Sequence, residues 1–360
     1  MNVAKVNVAK VNVVKMNVAK VNLVNMTKLE GSVLTHRPRF VAAAVLISIA
    51  GLIPLRADAH QAPSTHMHVV TTLLAVPGGN FLHALPGPPK LTYGTLKLAT
   101  PADINGEHYD LSLVVGLEYL ESSGPFQGSF SVVKPGGDEL VFDYRGNATL
   151  NPDGSTTVTG RLLAFSGTGT FAHITGSGTV NGFRATGLAV GSPVNYTIDL
   201  DVRQGERPDP PRSAAIATTE RPQSITRVDM SGSPSENFIT TNPDGRSYGF
   251  ERLTGTTRFR GQSVSIEENI EVALVRGNGP INGFLTMSAA DGSQLVMRAT
   301  GAITTSRRGD KPTGGTVRAA LVVIAGTGNW AGTNGSGVLT GIRLGQDGSI
   351  STDNIALTLR

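Results

Sequence analysis

The sequence predicts an all-β protein made of two tandem copies of one domain. Short runs of Val, Ile, Leu and Thr are separated by Gly, Asn-Gly, Asp-Gly and Pro-Gly, a pattern typical of short antiparallel strands joined by tight turns. Glycine contributes 44 of the 360 residues, only 16% of residues are charged, and no long helical pattern is present. The segment from Pro88 to Leu200 also recurs as Pro243 to Leu359.

The repeat keeps its register along the whole of both copies. An offset of 155 relates them as far as Thr149 and Thr304, and one indel of four residues changes the offset to 159 for the remainder. A period of this length indicates two whole domains, because solenoid repeats run roughly 20–50 residues. Most residues present in both copies are Gly, Pro, Thr and aliphatics, so the repeat reports mainly on the scaffold.

The first residues of the chain stand apart from this pattern. Residues 2–25 repeat a five-residue unit, NVAKV and its variants, whose period matches neither a helix nor a strand. We interpret this stretch as a translated short DNA repeat upstream of the true start, with Met1, Met16 and Met26 as candidate initiators. The alternative, a basic amphipathic membrane arm, is disfavoured because this period spreads the apolar residues around a helix.

A secretory signal is predicted from Met26 onward. Arg37 and Arg39 provide a positive flank, residues 41–55 are almost wholly apolar, and a small-x-small pattern ends at Ala59. The apolar run is short for a transmembrane helix, which needs about 20 residues. We therefore expect cleavage after Ala59 and a secreted or periplasmic protein; an uncleaved anchor is the alternative.

These features divide the chain into four segments. The leader and signal occupy residues 1–59, the first domain 60–202, a Pro-rich linker 203–222 and the second domain 223–360. The prolines of the linker predict an extended, semi-rigid spacer between the domains.

Charge and cysteine content exclude several classes of function. Without residues 1–59, Lys plus Arg falls from 31 by 8 to 23 and Asp plus Glu from 27 by 2 to 25, so the net charge changes from +4 to −2. A nucleic-acid partner therefore has no electrostatic support. The chain has no cysteine, so it has neither disulfides nor thiolate chemistry.

Alternation within the repeat predicts which faces of the strands are buried. Residues 115–119 (VGLEY) and 270–274 (IEVAL) are apolar at the first, third and fifth positions, as in a strand with one buried face. On the opposite face of another strand pair, Asp143 is replaced by Arg298. We predict a solvated outer face for this pair, because a guanidinium cannot keep the catalytic role of a carboxylate.

A family resemblance rests on one motif. Residues 167–172 (GTGTFA) with 176–178 (GSG), and 326–332 (GTGNWAG) with 335–337 (GSG), resemble the GTG-x-aromatic-A-G signature of the allene oxide cyclase and dirigent barrels. The resemblance implies two tandem antiparallel, calycin-like barrels of about eight strands with mostly apolar interiors. Family members cyclise an unstable epoxide or steer phenoxy-radical coupling without cofactors. The resemblance therefore implies no cofactor, and family oligomers imply that the two barrels can pack together.

Three residue pairs kept in both copies are the candidate ligand-binding residues: Arg184 with Arg343, Asn195 with Asn354, and Tyr93 with Tyr248. The arginines either clamp an anion or carboxylate at the barrel mouth or cap the carbonyls of a turn. The asparagines either orient a polar ligand group or form Asx-turns. The tyrosines either present a phenol to the lumen or pack as core aromatics with satisfied hydroxyls. No catalytic residue is assigned.

Histidines cluster at the expected mature N-terminus, where His60, His66 and His68 could bind copper together with the terminal amine. We favour a disordered tail here and predict no metal site.

Three functions remain open. An exported protein that binds a small apolar molecule or a partner without catalysis predicts an open lumen lined by residues such as Val115 and Phe142. A cofactor-free cyclase or coupling-guide enzyme predicts a polar group such as Glu118 in that lumen; its counterpart is Ala273, so at most the first barrel could use it. A structural surface protein predicts a lumen closed by side chains.

Overall fold

A computed structural model describes residues 64–87, 89–185, 193–205, 222–233, 236–308, 311–344 and 350–360. The repetitive leader, the signal segment with its cleavage position at Ala59, His60 and linker residues 206–221 lie outside the described residues. Within the described ranges, no helix is long and apolar enough to cross a membrane.

Eight antiparallel strands form the first barrel, each paired with its neighbour in the chain. They are β1 (Thr65–Leu85), β2 (Leu91–Ile104), β3 (Glu107–Leu120), β4 (Gly124–Val133), β5 (Glu139–Leu150), β6 (Thr156–Gly167), β7 (Ile174–Arg184) and β8 (Val194–Gln204). The first half of β1, from Thr65 to Leu73, pairs with β8 and closes the barrel. From Leu74 onward β1 pairs with β2, with a register shift between Ala75 and Asn80.

The second barrel repeats this plan, with the first strand divided in two. Its strands are β9 (Ser224–Ser231), β10 (Phe238–Thr241), β11 (Arg246–Phe259), β12 (Gln262–Val275), β13 (Gly279–Ala289), β14 (Gln294–Arg308), β15 (Lys311–Gly326), β16 (Gly335–Leu344) and β17 (Ile350–Leu359). Strand β9 pairs with β17 and, at Ser231 and Met230, with β11, which closes the barrel. Strand β10 pairs only with β11. The predicted all-β fold of two tandem eight-stranded barrels is confirmed.

Side chains from alternate positions fill each barrel. Val115, Leu117 and Tyr119 are at most 6% exposed and belong to one continuous core that fills the first barrel. Ile270 and Val272 occupy the equivalent positions in the core of the second. The period-two reading of these segments is therefore confirmed.

The shared glycine-threonine-glycine motif forms a turn at one end of each barrel. A short 3-10 helix, Gly169–Phe171 in the first barrel and Gly328–Trp330 in the second, ends in an aromatic ring that is less than 10% exposed. Gly169 has a φ of 51°, and a Cβ there would lie 1.8 Å from the carboxylate of Asp138. The motif thus serves the scaffold, because its aromatic ring covers the end of the core.

Outer faces of the two barrels are in contact. Leu91 and Tyr93 of the first barrel share a buried apolar cluster with Phe284 and Val296 of the second. A second cluster joins Val141 and Phe165 to Tyr248.

Polar contacts surround these clusters. Arg298 donates from Nε and Nη2 to the carboxylate of Glu118, at 2.7 and 2.5 Å, and His83 Nε2 lies 2.7 Å from Glu267 Oε1. Asp143 also lies on the outer face, but its side chain is only 27% exposed. The predicted solvated face for Asp143 and Arg298 is therefore corrected, because the neighbouring barrel covers part of it.

The histidines near the start of the first barrel lie in an ordered strand. His66 Nδ1 is 2.9 Å from Asp201 and His68 Nδ1 is 2.6 Å from Asp199, both across the β1–β8 pair. The expected disordered tail was wrong for these two residues, because β8 provides both a backbone ladder and acidic partners. Among the described residues, no group of His, Asp and Glu side chains could hold a metal ion.

Candidate functional site: a buried arginine in each barrel

Arg184 is the last residue of β7 and points into the first barrel. Along β7 the alternate residues Val180, Gly182 and Arg184 are buried, whereas Phe183 between them is 46% exposed. The period of a strand therefore places the guanidinium inside. It lies at the barrel end where β7 leads towards β8, opposite Thr156 of β6.

Three tyrosines accompany this arginine. Arg184, Tyr119, Tyr144 and Tyr196 line a cavity of about 20 Å³, together with seven apolar side chains. Typical ligand pockets measure ≈ 300–1,000 Å³, so this cavity is far smaller than the site of an ordinary organic ligand.

Glycines on neighbouring strands make room for the tyrosine rings. A Cβ at Gly160 would lie 2.4 Å from the ring of Tyr144, and one at Gly182 would lie 2.6 Å from the ring of Tyr196. Because these distances are shorter than any normal contact, a larger residue at either position would displace the ring. The scaffold thus fixes where the hydroxyls stand.

Burial controls the electrostatics of this cluster. It raises the pKa of Tyr196 to about 12 and also raises the pKa values of Tyr119 and Tyr144, so all three hydroxyls are protonated at neutral pH. Burial also lowers the pKa of Arg184. Since an arginine stays protonated in proteins, the interior of the first barrel holds a positive charge.

Within the described part of the chain, no carboxylate pairs with Arg184. It makes no hydrogen bond or ion pair with any residue that the structure describes, and its Nε is buried without a partner. The following segment, residues 186–192, contains no acidic residue.

Arg343, the counterpart in the second barrel, is fully neutralised. It is 4% exposed, and its Nη1 and Nη2 donate to Asp353 at 3.0 Å and to Glu268 at 2.5 Å. Glu251 Oε2 lies 3.7 Å from Nε, and Ser351 accepts a further hydrogen bond. Burial, opposed by Arg343 but reinforced by the other carboxylates, raises the pKa of Glu268 to about 8.

The residues that surround the shared arginine differ between the two copies of the repeat. In the second barrel the acids Glu251, Glu268 and Asp353 stand where the first barrel has Leu96, Leu113 and Val194. Conversely, the first barrel has Tyr119, Tyr144 and Tyr196 where the second has Leu274, Ala299 and Ile355. The shared arginine thus has carboxylate partners in one barrel and hydroxyl neighbours in the other. Because an isolated buried charge is costly, the first barrel is suited to accept an anion from outside.

No protein-family model matches this sequence, and no curated protein is significantly similar to it. The resemblance to the allene oxide cyclase and dirigent barrels stays a prediction from the sequence motif.

The side chains of the other candidate residues do not join Arg184 in the first barrel. Asn195 is on the exposed face of β8, where its Oδ1 accepts a hydrogen bond of 2.7 Å from Thr72, and Asn354 is exposed on β17. Tyr93 is fully buried between the barrels, with its hydroxyl 3.1 Å from Thr286 Oγ1. Tyr248 also lies between the barrels.

The hydroxyl of Tyr248 donates to Glu139 of the first barrel. Neither Tyr93 nor Tyr248, the tyrosines present in both copies, therefore reaches the interior of a barrel. Glu118 is also on the outer face, paired with Arg298.

Sequence comparison between the copies missed the residues that distinguish the two arginines. Tyr144 and Glu268 each occur in one copy only, so a search for shared residues discards them. Their signal was a polar residue at a position that strand alternation assigns to the interior.

Proposed function

We propose that the first barrel binds a compact anion through Arg184, and that the protein acts by binding and not by catalysis. The observation that carries this proposal is the buried guanidinium, which has no carboxylate partner among the residues that the structure describes. The hydroxyls of Tyr119, Tyr144 and Tyr196 are protonated, so they can donate hydrogen bonds to the same anion. The second barrel, whose arginine is already neutralised, serves as scaffold.

Size restricts the ligand. The cavity of about 20 Å³ exceeds the ≈ 10–15 Å³ that one water needs, which suits a halide or the carboxylate of a small organic acid. The signal-like segment that ends at Ala59 supports a secreted or periplasmic setting, and the shared motif supports a relationship to the allene oxide cyclase and dirigent barrels.

An enzymatic role has less support. Proton transfer needs an acid or base next to the substrate, and Glu118, the candidate from the sequence, is held on the outer face by Arg298. The tyrosines stay protonated at neutral pH because burial raises the pKa of each.

Acetate binding tests the proposal. We expect saturation-transfer NMR to detect acetate on residues 60–360, chloride to compete with it, and Arg184→Met to abolish the signal. Arg161→Met removes an exposed arginine from the same barrel and should leave binding unchanged. Competition by chloride identifies a halide-sized site, and its absence identifies a carboxylate site. Acetate binding that survives Arg184→Met would overturn the proposal.

A further inference from the structure

A second concave site lies on the outer surface of the second barrel, beside the first barrel. Its volume is about 420 Å³, within the ≈ 300–1,000 Å³ of typical ligand pockets. Strands β9, β11, β12, β13 and β14 form it, and His83 at the end of β1 contributes from the first barrel. We call it the hydroxyl cleft.

Hydroxyl groups dominate this surface. Thr256 of β11 pairs with Ser265 of β12, and Ser265 pairs with Ser288 of β13, so these side chains form a row across three strands. Thr254 and Thr286 belong to the adjacent row. Because the strands are hydrogen-bonded to one another, the positions of the hydroxyls are fixed before any ligand arrives.

Most of these hydroxyls retain hydrogen-bonding capacity. The bonds that Thr254 and Ser265 donate to backbone carbonyls are long, at 3.5 and 3.3 Å. The hydroxyl of Ser288 accepts a 3.3 Å bond from Gln294, and the hydroxyl of Thr256 makes none with the described part of the chain. Hydroxyls both donate and accept, so the cleft can satisfy a ligand rich in both kinds of group.

The charges of the cleft exclude an anionic ligand. Burial alone would raise the pKa of Glu267. Hydrogen bonds from His83 and Arg252 nevertheless lower this pKa to about 2, so the carboxylate is ionised. Asp229 stands at the cleft with its side chain 75% exposed. Arg252 already donates to both Glu267 and Glu236. An incoming anion would therefore face two carboxylates.

The repeat shows that the scaffold does not require these hydroxyls. The positions of Thr254, Thr256, Ser265 and Ser288 are occupied in the first barrel by Ala99, Pro101, Asp110 and Val133. A barrel of the same fold thus forms without the row, and the row is a property of the second copy.

We propose that the hydroxyl cleft binds a neutral saccharide, with Thr256, Ser265 and Ser288 bonding its hydroxyl groups. No Phe, Tyr or Trp ring lines the cleft among the described residues, so we expect hydrogen bonds to make most of the contact. The affinity for one disaccharide is then modest, with Kd on the order of a millimolar. This site is separate from the Arg184 lumen and does not depend on it.

Saturation-transfer NMR of residues 60–360 with maltose and cellobiose tests this inference. We expect transfer to at least one disaccharide, and a Kd at least tenfold higher in the double variant Thr256→Val, Ser265→Ala. Thr179→Val removes an exposed strand hydroxyl from the first barrel and should change nothing. Arg184→Met should also leave the Kd unchanged, which separates this test from the anion test.

Three outcomes would overturn the inference. They are no transfer to either disaccharide, binding that survives the double variant, and binding of the anion glucuronate as tight as that of the neutral sugars. Circular dichroism of each variant checks that the barrel still folds.

Discussion

Arg343→Met should lower the free energy of unfolding of the second barrel by about 3–5 kcal/mol, the usual cost of breaking a buried ion pair by removing one partner. Methionine fills similar space but leaves Glu251, Glu268 and Asp353 buried without a cation. Trp330 is the only tryptophan and lies in the core of the second barrel. Urea unfolding followed by its fluorescence therefore reports on this barrel.

Arg184→Met is the matched substitution in the first barrel, and we expect the opposite sign. No carboxylate is left behind, so an apolar side chain should leave stability unchanged or raise it by about 1–2 kcal/mol in a buffer poor in small anions. Five of the six tyrosines are in the first barrel, so tyrosine fluorescence follows its unfolding. Equal losses from the two substitutions would contradict the distinction between the arginines.

A saturating anion should change the result for the first barrel alone. By linkage, a ligand at 100 times its Kd adds about 2.7 kcal/mol to stability. We therefore expect acetate to stabilise the unsubstituted first barrel relative to Arg184→Met. The pair of substitutions thus measures both the cost of the buried charge and the contribution of its ligand.

The internal repeat was the most informative feature of the sequence, and it mainly revealed the residues that the barrel scaffold needs. Residues needed to close a barrel, such as Gly169 and Gly182, recur because any side chain there would collide with neighbouring atoms. Alternation of apolar residues located the barrel interiors for the same reason, since a strand buries every second side chain.

The repeat and the apolar alternation could not predict which residues surround the two arginines. Asp353 is on the neighbouring strand β17, but Glu251 and Glu268 are on β11 and β12, which are distant in sequence and meet Arg343 only when the barrel closes. The residues that make contact between the barrels could not be predicted either, because Glu118 and Arg298 lie on different copies and at positions that are not equivalent. In both cases the spatial neighbour is set by the tertiary fold and not by local pattern.

Glu271 should make the protein less stable as the pH rises. It is half-buried on the outer face of β12, and burial, followed by the charge of Asp143, raises the pKa of its carboxyl to about 8. In the unfolded chain the same carboxyl titrates near its ordinary value of ≈ 4.3. Between these two values the folded state binds the extra proton, so stability falls as pH increases from about 4.5 to 8.

Glu271→Gln should remove this part of the pH dependence. An amide cannot ionise, so we expect little change at pH 5 and a gain of about 1–3 kcal/mol at pH 9, where the wild-type carboxylate has to be charged. Urea midpoints measured from pH 5 to 9 check the change in slope. Asp110→Asn, on the exposed face of β3, is the control and should leave the slope as it is. The pKa of Glu268, in the core of the second barrel, is also raised to about 8, so part of the pH dependence should persist in Glu271→Gln. A pH dependence that does not change at all would show that Glu271 is ionised in the folded protein.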